Sequence, residues 1–505
     1  MFGRCLKWYL HGAMKKSKAK QSVYRNQNSL IRALFERAGN SRKVLCVALD
    51  YAKRKHVALI CEGNGDVLKS SFPVENNAAG IEHLLEEISA TARHRKIPAD
   101  QVFLGGEDEA AYVANFTQAL RLKGYLVVRV NAYEAKENRE NLLASTDGLD
   151  LLGIAKTLLS RRARVTGDAA NANPAYRHIR DLSRCRRTLV RQQTAASNRI
   201  HALAEQLFPG FLNGSKSALT PFTEASLELM RERFSAPEIA RRKPAALGNL
   251  LRRHRVHHPD QTAAEIILLA REALPPAAAR VASLQRTLAA TVDLYACLRR
   301  NALELRSEAA LLLATTPYVM LTSIPGIGFV LAAGLAGELG EPSSLSRLDS
   351  LCAYAGIVPR TFQSGGPDSP AIQGHASPRC NRILKDWTVQ SAQKIHLYGP
   401  PELKDRITRW NAEGRHGLFA GARHNLRLAS ALVKNEIPYL APEGRGRHAT
   451  PAQIETATQA TWAILLKKWR TISGGPDLIL DQAHPLGYWR NLMLEIHGID
   501  LPGRP

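Results

Sequence analysis

At Val44 the sequence passes from a basic, apolar-poor stretch into runs that a β-sheet satisfies best. VLCVALD (44–50), HVALIC (56–61) and VLKSSFPV (67–74) are short and rich in β-branched and apolar residues, with turn chemistry at Gly63-Asn64-Gly65-Asp66. Residues 78–95 then carry Ile81, Leu84, Leu85 and Ile88 at helical spacing. VFLGGE (102–107) predicts a fourth strand, 112–123 a helix ended by Gly124, and YLVVRV (125–130) a fifth strand. After a polar loop, 149–159 turns helical. Consecutive strands pair antiparallel through tight turns, whereas strands separated by helices pair parallel through crossovers.

That order, β-β-β-α-β-α-β-α, is the order of an RNase-H-like fold, with the fourth strand beside the first. The arrangement gives meaning to four acids. Asp50 ends the first strand, Glu107 ends the fourth, and Asp147 and Asp150 open the helix after strand five, on one helical face by their i, i+3 spacing. Phosphodiester chemistry on paired divalent metals needs carboxylates converging from several elements, and hard cations such as magnesium or manganese prefer oxygen ligands. Such a cluster repels itself without a cation. Each acid alone is compatible with a structural role: a strand-end turn for Asp50, a helix cap for Asp147, a solvated loop for Glu107-Asp108-Glu109. The metal-site reading rests on the set.

Beyond the sheet, residues 175–208 predict a long helix. Leu182, Leu189, Ala196 and Leu203 recur every seven residues, with Ile179, Ile200 and Leu207 on the neighbouring seam and Arg186 and Gln193 interrupting it. A second long helix over 277–313 keeps Val281, Leu284, Leu288, Tyr295, Leu298, Ala302 and Leu305 at 3–4 spacing. With an insertion at about 209–276, the two fit an antiparallel hairpin or a dimerisation stalk equally well. Within the insertion, His254, His257 and His258 have zinc-like spacing, but Arg252, Arg253 and Arg255 surround them and favour a phosphate-facing basic helix.

Residues 317–395 are compact and bear motifs. Ile324-Pro325-Gly326-Ile327-Gly328 has the turn chemistry of a helix-hairpin-helix, whose backbone approaches closely at Gly326 and Gly328 and whose amides can hold a DNA phosphate. Gln363-Ser364-Gly365-Gly366 is a Gly-rich loop, followed by the basic stretch Arg379-Cys380-Asn381-Arg382-Ile383-Leu384-Lys385. The tail 441–505 reads as helical and holds Trp462, Trp469 and Trp489 as core or partner-facing residues.

Charge narrows the partners. Lys+Arg of 69 against Asp+Glu of 45 gives +24, the balance of a protein that neutralises phosphates. Residues 1–43 contribute eleven Lys/Arg against the single acid Glu36, and read as a basic arm, helical near 30–37. No run of about 18 apolar residues predicts a membrane span, and the N-terminal apolar stretch is too interrupted for a secretory signal, so a cytoplasmic location is expected. The seven cysteines form no CxxC pair, which argues against zinc ribbons and disulfide frameworks, with Cys46 and Cys61 expected in a strand core.

Asp50 in VALDYAKRKH, Glu107 in GEDEAAY, and Asp147 and Asp150 in STDGLDLLGIAK resemble the D-E-D-D signature of the insertion-sequence 110/1111 transposases and the related pilin-gene invertases. In that family the second element commonly reads E-A-T-G-x-Y; here Glu107 and Tyr112 keep its spacing while the interior differs. The resemblance covers roughly residues 44–440. It implies a RuvC-like domain over 44–165, a coiled coil over 175–315 and a C-terminal serine transposase domain over 317–440. It also implies Mg2+ or Mn2+ at the four acids and Ser364 as the nucleophile, with Ser369 and Ser377 as competitors in the same loop. Arg360, Arg379, Asn381, Arg382 and Lys385 are implied as nucleic-acid-facing residues, the family's K-R-G-N-x-x-L-R element appearing here as 378–385. The implied partners are element and target DNA, a structured bridge RNA as guide, and further copies of the chain in a dimer or tetramer. Two other readings remain at this stage. One is a metal-only nuclease or junction resolvase that uses the four acids without serine chemistry. The other is an architectural nucleic-acid-binding protein.

Overall fold

The computed structural model describes residues 27–502 except 108–112, 140–145, 162, 166–172, 213–218, 347, 364–371, 377–379, 415, 445–447 and 482–483. The chain divides into two compact units, Ala13–Asn173 and a larger one holding Pro174–Pro505.

In the smaller unit, α1 (Ser29–Ala38) precedes β1 (Leu45–Asp50), β2 (Lys55–Glu62) and β3 (Val67–Glu75). Then follow α2 (Ala78–Arg95), β4 (Val102–Gly106), α3 (Ala114–Leu122), β5 (Leu126–Arg129), α4 (Ala132–Glu137), α5 (Asp147–Leu159) and the two-residue β6 (Arg164–Val165). The sheet runs β3-β2-β1-β4-β5-β6. β1 is antiparallel to β2 and parallel to β4, and β4 is parallel to β5. The expected strand directions, and the neighbouring of strands one and four, are therefore observed. Strand β6, antiparallel to β5, is an addition to the five expected strands. Helix α4 lies in what reads as a polar loop.

A central strand buried on both faces is apolar throughout, and β1 is buried from Leu45 to Leu49. Its alternation distributes the core. Leu45, Val47 and Leu49 join Ile81, Leu84 and Ile88 of α2 and Phe116 and Leu120 of α3. Cys46 and Ala48 face the other way, onto Ile31, Leu34 and Phe35 of α1 and Leu151, Ile154 and Leu158 of α5. Cys46 and Cys61 oppose one another across β1 and β2 as buried free thiols. Part of the basic arm is thus a packed helix that covers one face of the sheet.

In the larger unit, α6 (Ala175–Leu207) is followed by α7 (Glu224–Arg231), α8 (Ala236–Ala240), α9 (Pro244–Arg253), α10 (Pro259–Glu272) and α11 (Val281–Ala314). Tyr176 and Ile179 at the start of α6 pack with Ala309–Leu313 at the end of α11, and Ala196–Leu207 pack with Leu284–Tyr295. The long helices therefore run antiparallel within one chain, which resolves the hairpin-or-stalk ambiguity. Helices α7 to α10 pack into the core at the distal end, around Phe208, Phe211 and Phe234. Arg252 pairs with Asp260 at 2.8 Å and Arg253 with Glu228 at 3.1 Å, so two of the three arginines expected to face phosphate are already paired within the protein. His254 contacts the same Glu228 carboxylate.

The proximal end carries α12 (Phe329–Leu339), α13 (Leu348–Tyr354), the hairpin β7 (Pro359–Phe362) and β8 (Ile372–Ala376), and α14 (Arg382–Tyr398). Helices α15 (Pro401–Ala412), α16 (Gly417–Asn435), α17 (Pro451–Trp469), α18 (Gly475–Leu480) and α19 (Pro485–His497) complete it. Trp462, Trp469 and Trp489 are all buried, in one core with Leu335 of α12 and Leu384 of α14. Residue 440 does not separate two cores. Glycines in α12 permit the tightest contacts. A Cβ on Gly334 would stand 2.5 Å from the Trp387 indole, and one on Gly337 would stand 2.6 Å from Cα of Arg180 on α6. The α6 backbone cannot retreat without opening the seam. Gly337→Val is therefore expected to cost about 1–3 kcal/mol or more by overpacking, read as a lowered midpoint in urea. Gly148→Ala, where a Cβ meets nothing within 4 Å, should leave the midpoint unchanged or slightly raised.

Candidate active site

Asp50 and Glu107 are brought together by strand pairing. Leu49 lies opposite Gly106 on the parallel neighbour, so the next residue of each strand emerges at the same sheet edge. Gly106 is needed there: a Cβ would lie 2.3 Å from the Tyr51 ring and 2.4 Å from the Leu49 carbonyl. The turn after Asp50 is fixed by the buried His56, whose Nδ1 accepts from Ala52 N–H at 3.1 Å. Burial lowers the His56 pKa and keeps its ring neutral.

The third and fourth acids come from α5. Thr146 caps that helix by accepting from Leu149 N–H at 3.4 Å. Asp147 is therefore free of the capping role and stands in the first turn with Asp150. Helix α5 comes close to α4 because Gly153 has no side chain, a Cβ there being 2.4 Å from the Ala135 carbonyl.

The electrostatics show that the four acids share one locality. The Asp50 carboxyl is pushed up by burial first, then by Asp150 and Asp147, with Arg139 opposing. Glu107 is pushed up by burial, then by Asp50, again opposed by Arg139, with Asp150 adding to the rise. Arg139 is the residue that sequence reasoning missed. Its Nε lies 2.7 Å from Asp150 Oδ1, with both side chains largely buried. It follows the unpredicted α4, so no sequence signal placed it near the acids. Among the described residues no three His, Cys, Asp or Glu side chains already converge as a metal-ligand group. The donors themselves suit a hard divalent cation, being all carboxylate oxygens that repel one another. Arg139 holds one of them with a charge that a metal would replace.

The C-terminal motifs divide differently. Ser364, Ser369, Ser377 and Arg379 lie outside the described residues, in the sequence between β7 and β8 and just after β8. Arg360 is on exposed β7 with its guanidinium 5.5 Å from the Phe362 ring centre. Arg382 is exposed at the start of α14, and Lys385 reaches to 5.3 Å from the Phe419 ring. The Asn381 side chain is committed inward. Its Oδ1 accepts from Ile383 and Leu384 N–H, and its Nδ2 donates to Glu338 at 2.8 Å and to the Tyr354 hydroxyl at 3.2 Å. It caps and anchors α14, so its geometry is that of a positioning residue and not of a direct nucleic-acid contact.

Ile324–Ile327 is a type II turn. Ile327 N–H donates to the Ile324 carbonyl at 3.0 Å, with Gly326 at φ +91° as that turn requires. The close approach at Gly326 is to α14: a Cβ would lie 2.7 Å from the Lys394 carbonyl. Gly328, the residue preceding α12, faces open space instead. The turn is held from behind by Lys468 of α17. Its ammonium donates to the carbonyls of Thr322, Ile324 and Ile327 at 2.5, 2.9 and 2.8 Å, and burial brings its pKa down to about 8.

Residues 47–209 match a family model for DEDD transposases of the IS110 type, described as "Transposase". Residues 318–424 match a second, "Transposase IS116/IS110/IS902 family". A relative from Streptomyces coelicolor, "Insertion element IS110 uncharacterized 43.6 kDa protein", is 30% identical over 292 residues, covering 53% of this chain and 64% of the relative.

The raised carboxyls make stability depend on pH with a definite sign. Asp50 and Glu107 hold protons more tightly folded than unfolded, so raising pH through that interval lowers stability, and at neutral pH the penalty is fully present. Metal-free Asp50→Asn should therefore melt on the order of 2 °C above wild type at pH 7.5, and the difference should shrink as pH falls through the carboxyl range. Scanning fluorimetry across pH checks this; an Asp50→Asn protein less stable than wild type at pH 7.5 would contradict the like-charge account.

Proposed function

We infer that this chain, which belongs through both matched segments to the IS110 family of transposases, moves a DNA element by cutting and rejoining strands. The observation that carries the reading is the acid quartet. Two parallel strand ends and one helix start bring Asp50, Glu107, Asp147 and Asp150 into a mutually repelling group, on the segment matched by the first transposase model. The sheet order, with antiparallel β1–β3 followed by parallel β4 and β5, supports an RNase-H-like, RuvC-type domain. The DEDD assignment favours a divalent metal, and magnesium or manganese suits an all-carboxylate site.

The four carboxylates would hold the metal, with Arg139 releasing Asp150 as it binds. Bound there, a divalent cation supplies Lewis acidity toward a phosphodiester oxygen. The chain's own contribution is placement: rigid strand ends fix Asp50 and Glu107, and the Thr146 cap and Gly153 contact fix the pair on α5. The covalent step falls to Ser364. Its Oγ forms a bond to phosphorus as the bond to a sugar oxygen breaks, its proton leaving to a base and the departing sugar oxygen taking one up. The phosphoserine ester conserves the bond energy, and attack by another strand's hydroxyl releases the serine. Arg360, Arg379, Arg382 and Lys385 are placed by sequence near this step as cations for the developing charge. Because acids and serine stand on different units, an oligomer in which protomers pool the two is part of the proposal. So is a bridge RNA that pairs with donor and target DNA, for which the basic balance of the chain is the only physical support.

The test is a covalent adduct. Purified protein with magnesium, element-end DNA and the flanking transcript should yield a denaturation-resistant protein–DNA species in wild type and none in Ser364→Ala or Asp50→Ala. Metal-dependent cleavage that persists in Ser364→Ala without any adduct would reject serine chemistry in favour of a metal-only nuclease.

A further inference from the structure

Among the largely apolar residues of the α6–α11 seam stand two neighbouring guanidiniums. Arg186 interrupts the apolar repeat of α6, and Arg306 lies opposite on antiparallel α11, in step with Ile179 against Leu313 on one side and Ile200 against Val292 on the other. Arg186 is half-buried, and its Nε is shielded from solvent with no hydrogen-bond partner among the described residues. Burial and the neighbouring Arg306 charge both oppose its protonation, and no carboxylate offsets them. Arg306 donates to the Thr471 hydroxyl at 3.0 Å and lies 5.9 Å from the Phe329 ring centre. Among the described residues neither arginine makes an ion pair.

Three other arginines of α6 show what is missing. Arg184 forms two charged hydrogen bonds to Glu338 at 2.7 and 2.9 Å. Arg187 contacts Asp386, and Arg191 lies 4.0 Å from the same carboxylate. Acids thus stand beside these three arginines, and among the described residues none stands at the Arg186–Arg306 position. A guanidinium cannot shed its proton at any physiological pH, so two of them held together in a half-buried seam repel until an anion arrives. Phe329, under Arg306, opens α12 immediately after the Ile324–Gly328 turn, so this anion would lie beside that turn. A planar fork presents paired N–H groups that fit the oxygens of a phosphate.

We propose that Arg186 and Arg306 form a phosphodiester-binding site at the α6–α11 seam, occupied by a backbone phosphate of a bound nucleic acid. The proposal rests on the reading of this chain as a nucleic-acid enzyme. A net charge of +24 makes an external polyanion the fitting occupant, where a carboxylate from a second, equally basic copy would have to overcome mutual repulsion.

The test uses the full chain, with labelled duplex DNA and a labelled RNA hairpin titrated by fluorescence anisotropy over a KCl series. Each phosphate contact contributes about 0.9 to the slope of log affinity against log salt for duplex DNA, and about 0.7 for single strands. Arg186→Gln and Arg306→Gln should each flatten that slope by about one contact's worth and weaken binding at every sequence tested. Arg186→Lys should retain the slope. Arg231→Gln, which removes an arginine already paired with Asp293 at 2.7 Å, should match wild type. Whichever nucleic acid loses slope is the one seated there. Wild-type slopes on both, in variants with wild-type melting curves, would overturn the site; so would unchanged slopes with a shifted oligomer distribution by sedimentation, which would assign the missing anion to a second copy. Failure of the wild type to bind either nucleic acid would instead overturn the nucleic-acid reading itself, and this inference with it.

Discussion

The larger unit depends on the antiparallel contact between two helices of 33 and 34 residues. Neither is apolar enough to stand alone, because α6 in particular is strongly charged on its outer face. Their stability comes from the seam, where each fully buried side chain such as Ile200 or Leu288 contributes about 1.5–3 kcal/mol. Both cores of this unit grow from that seam. At one end Phe208, which ends α6, and Phe211 and Phe234 of the insertion pack on one another and join its core. At the other, α12 lies so close to α6 that only glycine fits at 337. Helices α13 to α16 then build outward from α12, and α17 to α19 close over them with buried tryptophans. A loosening of the seam would therefore be felt at the Ile324–Gly328 turn and at the base of α14, through α12 in both cases.

The smaller unit obeys the opposite logic. Its core is conventional, an apolar strand buried on both faces, and the unfavourable interactions are concentrated at one edge. Parallel pairing of β1 and β4 leaves Asp50 and Glu107 side by side whether or not a cation is present, since their separation is set by backbone hydrogen bonds and not by the carboxylates. The sheet stabilises what the charges oppose. Arg139 relieves part of that opposition, acting on Asp150 at close range and on Asp50 and Glu107 at longer range. An arginine is a suitable counter-ion there because it satisfies the acids without the strict coordination geometry of a metal.

Legibility in the sequence tracks the range of the interaction that decides each feature. The strands were readable because burial imposes period two or unbroken apolar runs on a few contiguous residues, and with the strands came the placement of Asp50 and Glu107. The long helices were readable from their repeats, though only packing between distant segments, Tyr176 with Ala309–Leu313, shows that they pair within one chain. Helix α4 was hidden because Ala132–Glu137 is short, polar and stabilised by the Asn131 cap and by contact with α5, neither of which leaves a periodic signal. Arg139 was lost with it. Asn381 was legible as a motif residue but not in its role, because the capping of α14 and the bond to Glu338 depend on a helix 43 residues earlier in the chain. Lys468 was illegible for the same reason: three carbonyls from 141 to 146 residues away define its function.

The distribution of charge carries more information than its sum. A surplus of 24 positive charges suits a polyanionic partner, but many arginines are already paired. Arg184 with Glu338, Arg187 with Asp386, Arg231 with Asp293 and Arg252 with Asp260 are neutralised locally and hold helices together. Such pairs contribute little to the field at a distance, since each presents a dipole and not a net charge. Any long-range field that attracts a polyanion comes from the residues without internal partners, and these need not be the most exposed. A half-buried cation lacking a carboxylate is the stronger indicator, because the surrounding apolar side chains raise the cost of leaving it unpaired. By that criterion the basic helix ending at Arg253 belongs to the scaffold. The seam position shared by Arg186 and Arg306 is, among the described residues, where two cations meet with no carboxylate paired to either.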